Sequence, residues 1–198
     1  YAQNRSLRGL YSEEEFPNIW KENAGGVYQE HTDGKLSFKQ RQREGVKAIF
    51  KNTSGESEID AILNDYLAVY EENWQLYYDV LPMLAKYKDV PKGIISNGDT
   101  VQQRLKLSKT GIDKYFETII ISGDVGICKP DLRIFLNAAE QAGMEVSQCW
   151  YVGDKILTGA KAAMDAGMTG IWLNRTLAGK DVKVPEIISL NDLIYSTP

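Results

Sequence analysis

From Asp79 onward the sequence alternates short apolar runs with amphipathic stretches, and this alternation restricts the fold more than any other feature. The runs are Gly93 to Ile95, Thr118 to Ile121, Trp150 to Val152, Gly170 to Leu173 and Glu186 to Ile188. Between them, Leu81 to Tyr87, Val101 to Lys109, Leu132 to Gln141 and Leu157 to Ala166 read as helices. Three of those stretches are followed by Gly111, Gly143 and Gly167, residues suited to a left-handed helix stop. Strands alternating with helices at this spacing predict an α/β fold built on a doubly wound parallel sheet covered on both faces. In such a sheet the chemistry sits beyond the carboxyl ends of the strands.

The stretch from Ser12 to Trp74 reads differently. Phe16, Ile19 and Trp20 fall at helical spacing, as do Val46, Ile49 and Phe50, and Ile59, Ile62 and Leu63, with Tyr66, Leu67 and Tyr70 extending the last stripe. Breaks at His31 to Lys35 and Asn52 to Gly55 divide the stretch into three helices. No Pro- or Ser-rich linker separates the two parts. The helical part therefore reads as an insert over the sheet, an α-helical cap that would act as a substrate lid.

Composition narrows the function classes. The 198 residues suffice for one large domain or a core carrying an insert. With 23 Lys and Arg against 27 Asp and Glu, the formal charge is -4, which argues against a nucleic-acid partner. No apolar run approaches the roughly 18 residues of a membrane span, and no basic leader precedes an apolar segment, so a cytoplasmic location without a membrane partner is the expectation. Two cysteines, Cys128 and Cys149, build neither a disulfide framework nor a multi-cysteine zinc site. A single histidine, His31, removes every chemistry that needs two imidazoles.

Three strand ends carry residues suited to chemistry. The first reads Ser96-Asn97-Gly98-Asp99, where short polar side chains and backbone N–H groups before a helix form an anion site, or else simply cap that helix. The second reads Lys129-Pro130-Asp131. A lysine at a helix start opposes the helix dipole and would be useful for neutralising a phosphate or carboxylate, although Pro and Asp there also initiate helices. The third is Gly153-Asp154, a strand-end carboxylate that can meet a hard cation or cap the next helix.

Taken together, Ser96-Asn97-Gly98, Lys129-Pro130-Asp131 and Gly153-Asp154 resemble the second, third and fourth motifs of the haloacid dehalogenase superfamily, whose members are mostly phosphatases. The resemblance runs over the whole chain and implies a Rossmann-like core, with the cap at residues 12–74, the α/β core at 75–198 and the start of that core at 1–11. It implies that Ser96 and Lys129 hold the phosphoryl group and act in catalysis. Asn97 and Gly98 would add backbone donors, and Asp154 would bind Mg2+ as cofactor. The implied activity is hydrolysis of a small phosphorylated metabolite through an aspartyl-phosphate.

Two departures from that pattern carry expectations of their own. The first motif, an Asp-x-Asp pair supplying nucleophile and general acid, is not in this sequence, while Tyr1-Ala2-Gln3 looks like the Tyr-x-Gln step that follows the pair in one branch. The expectation is that a first core strand bearing the pair lies just upstream of Tyr1, and that the chain from Tyr1 alone is inactive. The second departure is Gly159, which stands where the fourth motif usually has a second Asp, so weaker Mg2+ binding is expected.

Two alternatives stay open. The scaffold could serve binding or regulation with catalysis impaired by the missing acids. Dehalogenation is disfavoured, because Gly153-Asp154 resembles the phosphatase form of the fourth motif rather than a Ser-Asn pair with an aromatic. Elsewhere, His31 reads as solvated surface, Cys128 as a small filler, Trp150 and Trp172 as core, and Trp74, Tyr77 and Tyr78 as packing residues with stacking on a flat substrate as the alternative.

Overall fold

The computed structural model describes residues 37–50, 55–179 and 182–194. The chain divides into two compact units, one ending at Trp74 and the other beginning at Gln75.

The described part of the first unit is a pair of helices, α1 (Phe38–Ile49) and α2 (Glu56–Glu72). Ser37 starts α1 with a capping box: its hydroxyl accepts from Gln40 N while the Gln40 side chain accepts from Ser37 N. Val46, Ile49 and Phe50 pack against Ile59, Ile62 and Leu63 in a single buried cluster, with Tyr66 and Leu67 at its margin. These are the apolar positions that the helical spacing marks. On the polar side, Arg43 holds Asp60 and Glu56 of α2. The expected helix through Phe16, Ile19 and Trp20, the turn at His31 and the Tyr1-Ala2-Gln3 step lie outside the described residues.

The second unit is the α/β part. After α3 (Val80–Lys86) the chain runs β1 (Gly93–Ser96), α4 (Thr100–Lys109), β2 (Thr118–Ile121), a single turn α5 (Ser122–Val125), α6 (Leu132–Gln141) and β3 (Trp150–Gly153). A π-helical turn, Ile156–Lys161, then leads into α7 (Ala162–Asp165), β4 (Thr169–Leu173) and β5 (Glu186–Ile187). Every pairing among the described strands is parallel, as the alternation requires. The described strands form two sheets, β1-β2 and β3-β4-β5, and β1 and β3 are each the end strand of their own sheet. In β2 the consecutive Ile120 and Ile121 are buried, and in β4 so are Gly170, Ile171 and Trp172, the pattern of strands covered on both faces.

One buried cluster spans both sheets. Ile120 of β2 meets Ile134, Phe135, Ala138 and Ala139 of α6, and Ala162, Ala163 and Met168, with Ile95 of β1 and Tyr151 of β3 at its margin. The four α6 residues lie on one face of that helix. Burying a side chain such as Phe135 contributes about 1.5–3 kcal/mol. Gly111, Gly143 and Gly167 have φ of 70°, 66° and 99°, the left-handed stops expected of them.

The stretch Leu157 to Ala166 differs from its expected regular helix. Its first part is the wide π turn, in which both Gly159 N and Ala160 N donate to Lys155 O, at 3.0 and 3.1 Å. The turn lies close against β4, where a Cβ on Gly170 would stand 2.1 Å from the Ala160 carbonyl oxygen. Only glycine at 170 allows that approach.

Tyr77 and Tyr78 lie outside the buried core, contrary to the packing expected of them. They are 62% and 77% exposed, and the Arg175 guanidinium lies 4.2 Å from the centre of the Tyr77 ring. Trp172 is buried as expected, its indole N–H donating to Asp154 O.

Candidate active site

The loops after β1, β2 and β3 supply the site. After β1, Asp99 caps α4 by accepting from Gln102 N at 2.9 Å, so the helix-capping reading holds for that residue. Asn97 is turned instead to the loop after β2. Its Nδ2 donates to Lys129 O at 2.9 Å and its Oδ1 accepts from Lys129 N at 2.8 Å. This two-way pairing closes like a strand ladder and ties the second motif to the third. Gly98 is buried, and its N–H donates to Ser122 Oγ at 2.9 Å rather than standing open toward an anion. Ser122, buried directly after β2 as the first residue of α5, thus fixes the loop after β1, a role that no local sequence signal marks.

The side chain of Lys129 reaches both sheets. Its Nζ donates to Ile95 O of β1 at 2.7 Å and to the Tyr151 hydroxyl of β3 at 2.9 Å. Among the described residues the ammonium has these two neutral oxygens as partners and no carboxylate at ion-pair distance. Burial pushes its pKa down to about 8, against a smaller opposing pull from the Asp154 charge. The Tyr151 phenol is pushed up to about 12, by burial first and by Asp154 second, so it is neutral across the physiological range. A half-buried cation bonded to neutral oxygens at strand ends is suited to receive an anion.

Ser96 ends β1, directly after Ile95, and pairs in register with Ile121. Asp154 follows β3, with its side chain 71% exposed and 3.6 Å from the Lys155 ammonium. Lys129 is therefore joined by hydrogen bonds to the loop of Asn97 and the strand of Tyr151, while Asp154 reaches it through charge alone.

For a magnesium ion the donor set is thin. A hard cation that keeps most of its water still takes one or two carboxylates from protein, with phosphate oxygens besides. Asp154 offers one, already facing an ammonium, and Gly159 offers none. Among the described residues no three His, Cys, Asp or Glu side chains gather as a metal site. These residues do not fit magnesium by themselves.

The family model of the haloacid dehalogenase-like hydrolases matches residues 8–167. The chain belongs to this family. Among curated relatives, a glyceraldehyde 3-phosphate phosphatase of Methanopyrus kandleri is 33% identical over 101 residues, which cover 50% of this chain and 43% of that enzyme. A pyrimidine 5'-nucleotidase of Escherichia coli is 40% identical over 83 residues, covering 41% of this chain and 37% of that enzyme. The chain thus spans less than half the length of each. Among solved structures, the HAD-hydrolase YfnB of Bacillus subtilis, bound to magnesium, superposes with a TM-score of 0.77 at 20% identity, over 96% of this chain and 89% of that one. That likeness shows the α/β fold of the family.

Proposed function

We propose that the protein is a phosphohydrolase of the haloacid dehalogenase-like family that releases phosphate from a small phosphorylated metabolite. The observation that carries this reading is the Lys129 ammonium, held at the carboxyl ends of β1 and β3 by two neutral oxygens. The family membership and the names of the two curated relatives, both acting on small phosphate esters, support it.

In this reading Lys129 balances the charge of the phosphoryl group and Ser96 donates its hydroxyl to a phosphoryl oxygen. Positioning and electrostatics supply most of the catalysis of phosphoryl transfer. Asn97 holds the backbone that carries Lys129. Gly98, with its N–H on Ser122, fixes the turn rather than binding phosphate. A carboxylate nucleophile would attack phosphorus in line and form an aspartyl-phosphate, and a second acid would protonate the departing alcohol and then activate water. Asp154, a single carboxylate facing Lys155, does not by itself complete a Mg2+ site. The helical unit ending at Trp74 takes the part of a cap, and the protein works in the cytoplasm.

The single acid at the fourth motif favours a second reading, a binding protein on the same scaffold with impaired catalysis. Phosphate release from a panel of phosphate monoesters, measured on the full-length gene product and its Lys129→Met variant with and without Mg2+, separates the two. Release that Lys129→Met abolishes supports the phosphatase. A folded full-length product that releases no phosphate from any ester sinks it and leaves the binding reading.

A further inference from the structure

Tyr151 lies in a slot that two glycines make possible. A Cβ on Gly153 would stand 2.7 Å from Cε1 and 2.9 Å from the hydroxyl oxygen of Tyr151, and a Cβ on Gly159 would stand 3.2 Å from each of the same two atoms. Carbon atoms in ordinary contact are about 3.5–4.0 Å apart, so a side chain at 153 collides with the ring and one at 159 crowds it. Neither glycine is in the left-handed region, so what they provide is space rather than backbone freedom. Phe135 closes the slot from α6, its ring edge-on to Tyr151 with centroids 5.3 Å apart.

Held there, the phenol oxygen is a fixed acceptor on β3 that faces a fixed carbonyl acceptor, Ile95 O, on β1. A lysine side chain is flexible, and its ammonium is placed only if partners define where it stands. The carbonyl alone leaves the ammonium free to swing about one bond. The phenol supplies the second point, and being neutral it leaves the positive charge uncancelled.

We propose that Tyr151 is a positioning residue for Lys129, fixing the ammonium between the ends of β1 and β3, and that Gly153 and Gly159 are the walls of the slot admitting its ring. The inference rests on the reading of this place as a phosphoryl site. It also accounts for Gly159, since an acid there would press its stem on the phenol.

The test is a double-mutant cycle on the full-length protein, read as tungstate affinity by titration calorimetry without divalent metal. Tungstate imitates the phosphoryl oxyanion and does not titrate near neutrality. Tyr151→Phe keeps the ring and removes the oxygen. It is expected to weaken tungstate by about tenfold, the usual worth of a hydrogen bond to a charged group, with an unchanged melting temperature. In a Lys129→Met background the same change is expected to do nothing further, and a purely structural role for the phenol would not produce that coupling. Should Tyr151→Phe fail to fold, Gly159→Ala, which displaces the ring without deleting a group, is read in the same way.

Equal affinity with and without the phenol oxygen, or an equal loss in both backgrounds, overturns the positioning role while a loss in Lys129→Met leaves the phosphoryl site standing. Tungstate binding that is absent, or indifferent to Lys129→Met, overturns the phosphoryl site and this inference together.

Discussion

Arg175 grips Asp79 through two parallel hydrogen bonds, Nη1 to Oδ2 at 2.7 Å and Nη2 to Oδ1 at 2.8 Å, and the carboxylate it holds is fully buried. Ser189 Oγ and Leu190 N each donate a further bond to Oδ2 at 2.8 Å. The start of α3, the segment after β4 and the turn after β5 are thereby joined at one carboxylate. Asp79→Asn leaves the guanidinium facing an amide, and removing one partner of a buried pair costs on the order of 3 kcal/mol. Urea unfolding of the variant is expected to show that loss. A midpoint equal to wild type would mean that the clamp contributes nothing net.

The same pair sets an acid limit. The Arg175 hydrogen bonds, aided by Leu190 and Ser189, hold the Asp79 carboxyl far below the usual carboxylate range despite its burial. The native state therefore keeps this group ionised where the unfolded chain, with a pKa of about 3.9, begins to bind a proton. Its contribution is complete above that value and is lost as the pH falls below it. Melts from pH 7 to 3 are expected to fall more steeply in wild type than in Asp79→Asn, and parallel curves would contradict the assignment.

Lys129 predicts an alkaline limit on anion binding. With its pKa pushed down to about 8, the free protein carries the ammonium below that pH and loses it above. Tungstate affinity of the full-length protein is expected to be flat below pH 7 and to fall as the pH rises through 8. The unfolded lysine titrates near 10.4, so between 8 and that value the native state binds fewer protons and this one group adds stability as the pH rises. An affinity constant to pH 10 would remove Lys129 from the site.

Asn97→Ala deletes both bonds that tie the loop after β1 to the backbone of Lys129. Leaving Lys129 N and O without these partners is expected to cost about 1–3 kcal/mol. Tungstate affinity should weaken with it, because the lysine loses its anchor. Unchanged stability and affinity would show that the loop is held by other means.

Gly170→Ala tests the packing of the π turn on β4. Its Cβ would stand 2.1 Å from Ala160 O and 2.7 Å from Met164 Cγ, and the first of these is backbone that cannot rotate away. Overpacking of this kind costs about 1–3 kcal/mol or more. Thermal melting is expected to drop sharply, and a wild-type transition would show that α7 can lift from the sheet at no cost.

The parallel α/β order was legible in the sequence because it rests on periodicity. Runs such as Thr118 to Ile121 and stripes such as Ile134, Phe135, Ala138 and Ala139 are set by which residues must leave water. The helical spacing of Val46, Ile49, Ile59 and Ile62 was legible for the same reason. Single strand ends were less so: Asp99 is a cap, Asn97 is a tie, and the short polar residues of one loop do different work according to what lies across from them.

The alternation, its glycine stops at 111, 143 and 167, and the three polar strand ends are all properties of residues near one another along the chain. Long-range packing, by contrast, makes Tyr151, 22 residues beyond Lys129, its partner, gives the N–H of Gly98 to Ser122, and sets Arg175 against Asp79 across 96 residues. Hydrogen bonds of this kind form between groups that the strands bring side by side, and their geometry depends on register, twist and the room left by glycines. No local pattern of residues encodes it.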